Sequence, residues 1–273
     1  MKVLISFFGL AYLFSWIIWL PLYLPAFGLR DLPVFPFHHA LGGLGPLLAA
    51  FACIGIFEGK KGMYQLLKQC FYSGPSIYVL IALFSPFILA ISAEGINYLI
   101  SGNPFDPAAL LHSREFPEFN LLNIFIYNLI FFGFGEEVGW RGFALPRLQS
   151  KFNALNSGLI LTVFWAVWHW PLFLYRPGYT NMEFAEIFGW IFSLLTGSVL
   201  LSWLYNSSGY SILICAIFHS TIDIAFTADF SGQQQMNYMG FLITLWGILT
   251  IVIFKPKNLS NKERLKINSE YSK

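Results

Sequence analysis

The sequence predicts an all-α polytopic membrane protein, a transmembrane bundle of about eight helices, on three observations. Of its 273 residues 56% are hydrophobic and only 11% charged, whereas a soluble globular chain carries about a quarter charged residues. The apolar residues arrive in blocks of about 18 to 24, the length that crosses roughly 30 Å of hydrocarbon. Basic residues fall in alternate connections between those blocks, as they do when every second loop faces the cytoplasm.

The blocks run near 3–25, 38–57, 77–99, 121–145, 156–175, 185–205, 210–228 and 238–254. The first follows Met1-Lys2 directly, is too long for a signal-peptide core and lacks a small-residue cleavage site, so it reads as a retained helix. Lys60, Lys61 and Lys68 follow the second block, and Arg147 and Lys151 the fourth. Lys255, Lys257, Lys262, Arg264, Lys266 and Lys273 follow the eighth. The alternate connections are neutral or acidic, with Asp106, Glu115 and Glu118, then Glu183 and Glu186, then Asp229. Both termini are therefore expected in the cytoplasm, in keeping with an even helix count. Turn-forming stretches such as Gly102-Asn103-Pro104 and Asn206-Ser207-Ser208-Gly209 punctuate the blocks. Residues 1–254 read as a single transmembrane domain, and 255–273 as a polar cytoplasmic tail, mobile and without a fold of its own.

Several function classes drop out. A net charge of +2 implies no attraction to nucleic acid. Cys53, Cys70 and Cys215 are scattered and form neither a disulfide framework nor a thiolate metal site. The thirty phenylalanines read as lipid-facing or packing residues, and Trp and Tyr as frequent at the two interfaces.

Ionisable residues inside the apolar blocks carry the functional signal. A charge at the centre of a bilayer helix costs about 3 kcal/mol on insertion scales, so it must face protein or a watery cavity. The fourth block contains Gly133-Phe134-Gly135-Glu136-Glu137-Val138-Gly139-Trp140-Arg141-Gly142. Glu137 and Arg141 are four apart and share a helix face, so they are expected to pair. Glu136 is rotated about 100° away and is left as the free carboxylate, able to act as a base. The fifth block holds His169 among Trp165, Trp168 and Trp170, followed by Pro171, which is expected to free a backbone carbonyl and shape a cavity. In the seventh block His219 and Asp223 are four apart and share a face. Three helices offering such groups at similar depth point to one enclosed polar site. Glu94, near the outer end of the third block, reads as a snorkelling residue or a helix contact and lies outside that site.

At these residues the chain resembles the CPBP family of intramembrane proteases, which groups CAAX prenyl proteases with bacterial proteins linked to bacteriocin processing and self-immunity. The first motif, two glutamates then three residues then arginine, stands here as Glu136-Glu137-Val138-Gly139-Trp140-Arg141, extended by Gly142-Phe143-Ala144-Leu145-Pro146-Arg147-Leu148. The second, an aromatic four residues before histidine, is Trp165 to His169, with tryptophan where phenylalanine is usual. The third, histidine with a polar residue four later, is His219 to Asp223, where asparagine is commoner. The resemblance covers about residues 120–230.

It implies an intramembrane endopeptidase of the bacterial cell membrane, embedded in lipid and acting on a membrane-delivered peptide or protein. CAAX-like proteins, pheromone or bacteriocin precursors and membrane proteins are the substrate classes it offers. Glu136 with His169 would hold and deprotonate a water. His219 would donate to the oxyanion. Asp223 would donate only if protonated and would otherwise orient His219. Glu137 and Arg141 would brace the helix. The preferred reading needs no cofactor, while two histidines and a carboxylate also suit a catalytic zinc. Readings from other classes are a bis-histidine haem electron-transfer protein, a proton-coupled transporter and a non-catalytic immunity or scaffold protein.

Overall fold

The computed structural model describes residues 2–29, 32–102, 104, 106–229 and 233–267. Among them the chain forms nine helices. They are α1 (Lys2–Tyr23), α2 (His38–Phe57), α3 (Gly59–Phe71), α4 (Ser76–Ser101), α5 (Leu121–Gln149), α6 (Ala154–Tyr175), α7 (Phe184–Ser207), α8 (Ile212–Thr227) and α9 (Gln233–Asn258). Each of the eight apolar blocks becomes a helix. Seven of these are long and apolar enough to cross a membrane, so this is a multi-pass membrane protein. The exception, α8, has 16 residues, about 24 Å at 1.5 Å per residue.

The ninth helix, α3, lies within a connection where no helix was expected. It buries Leu66 and Cys70 while Lys60, Lys61 and Lys68 stay exposed. That is the pattern of a short amphipathic helix lying against the bundle rather than crossing it.

The middle of α5 packs between α2 and α8, and glycine makes the approach possible. A Cβ at Gly139 would sit 2.6 Å from the carbonyl oxygen of Pro46 on α2, and one at Gly133 the same distance from that of Ala216 on α8. Backbones that touch in this way require a residue with no side chain. Helix α7 packs on α6 and α9, and α4 on α8 and α9.

Loops expected on one side of the membrane do meet. At one end Arg147 pairs with Glu58, the Tyr210 hydroxyl donates to Glu263 O at 2.7 Å, and Ser211 donates to Tyr72 O. At the other end Arg114 N donates to Thr227 O at 3.2 Å, and Arg176 pairs with Glu115.

One expectation needs correction. The start of the tail is not free. Asn206 donates to Asn258 O at 2.8 Å, Gln149 to Leu265 O at 3.1 Å, and Ile267 N to Pro146 O at 3.2 Å, while Leu259 is fully buried. Polar side chains buried at the ends of α5 and α7 need partners, and the tail backbone supplies them. Residues 268–273 lie outside the described residues. Three tryptophans sit away from any interface. Trp19, Trp140 and Trp168 are buried in the bundle, because each indole N–H finds an internal acceptor: His39 O, Glu136 Oε2 and Ser15 Oγ. Glu94 is buried as a helix contact rather than snorkelling.

Candidate active site

Helix α5 is wound unusually where it carries the glutamates. Leu129–Phe134 and Val138–Ala144 are π-helical, on either side of a short α-helical stretch, Gly135–Glu137. Wide turns of this kind concentrate at functional sites because they re-aim side chains that a regular helix would send elsewhere. Here both glutamates point into protein. Glu136 is 3% exposed, and Glu137 and Arg141 are fully buried.

Glu137 and Arg141 form the expected bridge, with Nη1 donating to Oε1 at 2.8 Å. Arg141 also lies over the Trp165 ring, its guanidinium carbon 4.7 Å from the centroid, a cation–π contact shielded from water. The same Glu137 oxygen accepts from His219 Nδ1 at 2.7 Å. Glu137 is therefore shared between α5 and α8, whereas the sequence ties it only to Arg141. A carboxylate oxygen accepts two donors readily, and in a dry interior this bond holds the imidazole in one orientation.

His219 Nε2 then lies 3.7 Å from Asp223 Oδ2 and 3.9 Å from Glu136 Oε1. Both separations are too long for direct hydrogen bonds. The expected His219–Asp223 pairing is thus a close approach rather than a bond, and the bonded partner of His219 is Glu137. Asp223 is the most exposed of the group, with 32% of its side chain accessible.

Glu136 is not a bare carboxylate. Its Oε2 accepts the indole N–H of Trp165 at 2.6 Å and that of Trp140 at 3.2 Å. Among the described residues its Oε1 receives no hydrogen bond. Trp140 was within reach of sequence reasoning, since it stands four residues after Glu136 on the same helix. Trp165 stands where phenylalanine is usual, and its N–H is what distinguishes it: a buried indole needs an acceptor, and Glu136 is one.

His169 ends the long part of α6. Helix Ala154–Trp168 stops there, and a short one, Leu172–Tyr175, starts after Pro171. The carbonyl that the proline frees, Val167 O, is taken by Trp170 N at 3.0 Å, so it does not open into the site as expected. Instead the break turns the His169 ring inward. Nδ1 lies 2.7 Å from Trp165 O, and because a carbonyl only accepts, Nδ1 carries the hydrogen and Nε2 of the neutral ring keeps its lone pair.

Glu136, Trp165, His169, His219 and Asp223 line one cavity of about 1200 Å³, while Glu137 and Arg141 stand behind its wall. The structure thus brings all six candidate residues to one place, four on the surface of the cavity and two as support. Tyr179 closes over His169 with rings nearly parallel at 6.4 Å. Burial pushes its hydroxyl up to about 12, so it remains a neutral donor at ordinary pH. Among the described residues no three His, Cys, Asp or Glu side chains converge as a ligand set for a metal ion.

The comparisons fall on this same region. Residues 118–225 match the family model described as Type II CAAX prenyl endopeptidase Rce1-like. CAAX prenyl protease 2 of Methanococcus maripaludis is 29% identical over 93 residues, 33% of this chain and 34% of that protein. Lysostaphin resistance protein A of two Staphylococcus epidermidis strains is 23% identical over 221 residues, 80% of this chain and 54% of those proteins. The chain thus spans between about a third and about half the length of the curated relatives it matches. The matched window holds all three motifs, and over that window the chain is similar to the Rce1-like Type II CAAX prenyl endopeptidases.

Proposed function

We propose that this protein is an intramembrane endopeptidase that hydrolyses a peptide bond with water activated by Glu136. The observation that carries the reading is the state of that carboxylate. One oxygen is held by two indole N–H groups, while the other lies 3.9 Å from His219 Nε2 on the wall of a large cavity. A fixed carboxylate with one oxygen unengaged is what a general base needs.

In this reading Glu136 Oε1 and His169 Nε2 hold the water, and Glu136 removes a proton as the oxygen attacks the carbonyl carbon. The negative charge moves to the carbonyl oxygen, where His219 donates from Nε2. It does so as an imidazolium, because its Nδ1–H is committed to Glu137. Asp223, 3.7 Å from the same nitrogen, balances that charge. Collapse of the intermediate breaks the C–N bond, and the proton on Glu136 passes to the leaving amine. Glu137 and Arg141 touch neither water nor substrate and act by positioning His219 and α5.

The aromatic and aliphatic walls, including Trp168, Phe218 and Ile222, fit an apolar peptide segment delivered from the membrane. A fluorogenic peptide library cleaved by the purified protein tests the reading. Glu136→Gln is expected to lower the rate about 10²- to 10⁴-fold, the span of general-base catalysis, and a chelator to leave it unchanged. Cleavage indifferent to Glu136→Gln overturns the mechanism, and loss with chelator alone replaces it with zinc chemistry.

A resistance role resting on the fold alone is the second reading, favoured by the 221-residue match to proteins named for lysostaphin resistance. In that case Glu136→Gln confers the same phenotype as the native chain.

A further inference from the structure

We infer that the cavity opens on the extracytoplasmic side of the membrane, so that the substrate is a segment presented from outside the cell or from the outer leaflet. This rests on the proteolytic reading above for the word substrate, but not for the side of access.

Two independent observations meet here. The first is geometric. The exposed residues lining the cavity come from the connection before α5 (Arg114, Glu115), the connection before α7 (Pro177, Gly178) and the outer turns of α7 and α9 (Gly189, Phe241). Among the described residues, none of the lining comes from α3, from the α5–α6 or α7–α8 turns, or from the chain after Asn258. The buried residues form the floor: Glu136 stands 15 residues into α5 counted from that same mouth, about 22 Å at the helical rise. The cavity therefore reaches the middle of the bundle from one end only.

The second is electrostatic. Of the sixteen Lys and Arg residues, twelve lie at the opposite end by their order in the sequence: Lys2, the α3 and α5–α6 residues, and those that follow α9. Three lie at the mouth end, Arg30, Arg114 and Arg176, and Arg141 is inside. Two of those three face acceptors nearby: Arg176 forms a two-pronged pair with Glu115, at 2.7 and 2.6 Å, and Arg114 reaches Phe226 O at 3.5 Å. Among the described residues six Asp and Glu stand at the mouth end, Asp106, Glu115, Glu118, Glu183, Glu186 and Asp229, against Glu58 and Glu263 at the other. Short loops rich in Lys and Arg stay in the cytoplasm, which puts the mouth outside. An acidic rim above an apolar, aromatic interior suits an incoming peptide with basic flanks around an apolar stretch.

Cysteine labelling tests the side directly, because Cys53, Cys70 and Cys215 are buried and leave a quiet background. Thr180 and Glu118 are exposed at the mouth end, and Lys61 and Lys262 at the other. Single variants Thr180→Cys, Glu118→Cys, Lys61→Cys and Lys262→Cys are expressed in intact cells and treated with a membrane-impermeant maleimide, with the native chain as control. The first two are expected to label in intact cells and the last two only after permeabilisation. The reverse pattern, or equal labelling of both ends, overturns the proposal. An impermeant fluorogenic peptide added to right-side-out and inside-out vesicles then reads access by activity, expected in the right-side-out preparation alone. Mouth-end labelling from outside, with no cleavage even in detergent, leaves the side of access standing and removes the proteolytic reading.

Discussion

The indole nitrogen of Trp165 on α6 lies 2.6 Å from Oε2 of Glu136 on α5, which ties the second motif of the family to the first through a single hydrogen bond. Phenylalanine, the residue more usual at this place, has no N–H to offer. The bond restrains the carboxylate and leaves its other oxygen facing His219. Trp165→Phe is therefore expected to keep the fold and the apolar contact but lower kcat about 10- to 100-fold, the worth of a hydrogen bond to a charged group at roughly 1.5–3 kcal/mol. Trp140→Phe, which removes the longer 3.2 Å bond, is expected to cost less. Initial-rate kinetics with the two variants side by side decide the order, and equal losses contradict it.

Glu137 serves Arg141 and His219 through one oxygen, so its two duties can be separated. Glu137→Leu alone strands a fully buried guanidinium, and the loss in stability is expected to be about 3–5 kcal/mol. Adding Arg141→Met removes the stranded charge, and the melting temperature is expected to return most of the way. Activity is expected to stay low in the double variant, because His219 Nδ1 has lost its acceptor. Recovery of both in parallel shows that Glu137 is a brace and nothing more.

Asp223 lies 3.7 Å from His219 Nε2, beyond a direct hydrogen bond, and is partly exposed. Its replacement by the commoner family residue, Asp223→Asn, is expected to keep the rate within about tenfold of native, since the amide still polarises the site without a formal charge. Asp223→Leu is expected to fall well below that. A rate for Asp223→Asn as low as that for Glu136→Gln places Asp223 in the chemistry itself rather than beside it.

The chain after α9 returns to the bundle and satisfies Gln149 and Asn206, both fully buried. Truncation after Lys257 is expected to lower stability by about 1–3 kcal/mol, the cost of leaving buried polar groups unpaired. The cleavage rate of the folded fraction is expected to hold, because the tail stands at the end of the bundle remote from the cavity. Thermal unfolding in detergent, followed by assay below the transition, separates the two effects.

Much of this was legible in the sequence because the bilayer makes simple demands. Seven of the eight apolar blocks are helices long enough to span, and Glu136, Glu137, His169, His219 and Asp223 had to face protein or a watery cavity. The Glu137–Arg141 bridge followed from spacing alone. Three things were out of reach for stated reasons. The sharing of Glu137 with His219 depends on how α5 and α8 are rotated against each other, and i,i+4 spacing speaks only within one helix. The amphipathic α3 hid in a polar connection because its apolar face is only a few residues wide. The docking of the tail leaves no mark in the sequence because its contacts are mostly backbone carbonyls, which every residue possesses.

The wide turns on either side of Glu136 and Glu137 carry one further consequence. A π-turn holds an extra residue relative to an α-turn, so removing a single residue from 129–134 lets the segment close to regular winding and leaves everything beyond it aimed much as before. An added residue finds no such slack: it keeps every motif letter intact while turning the helix beyond it by about 100°, which breaks the register of Glu136 with Trp165 and His219. In this protein the spelling of the motif and the direction in which it points are therefore set by different parts of the chain, and the winding beside the glutamates tolerates a shorter segment better than a longer one.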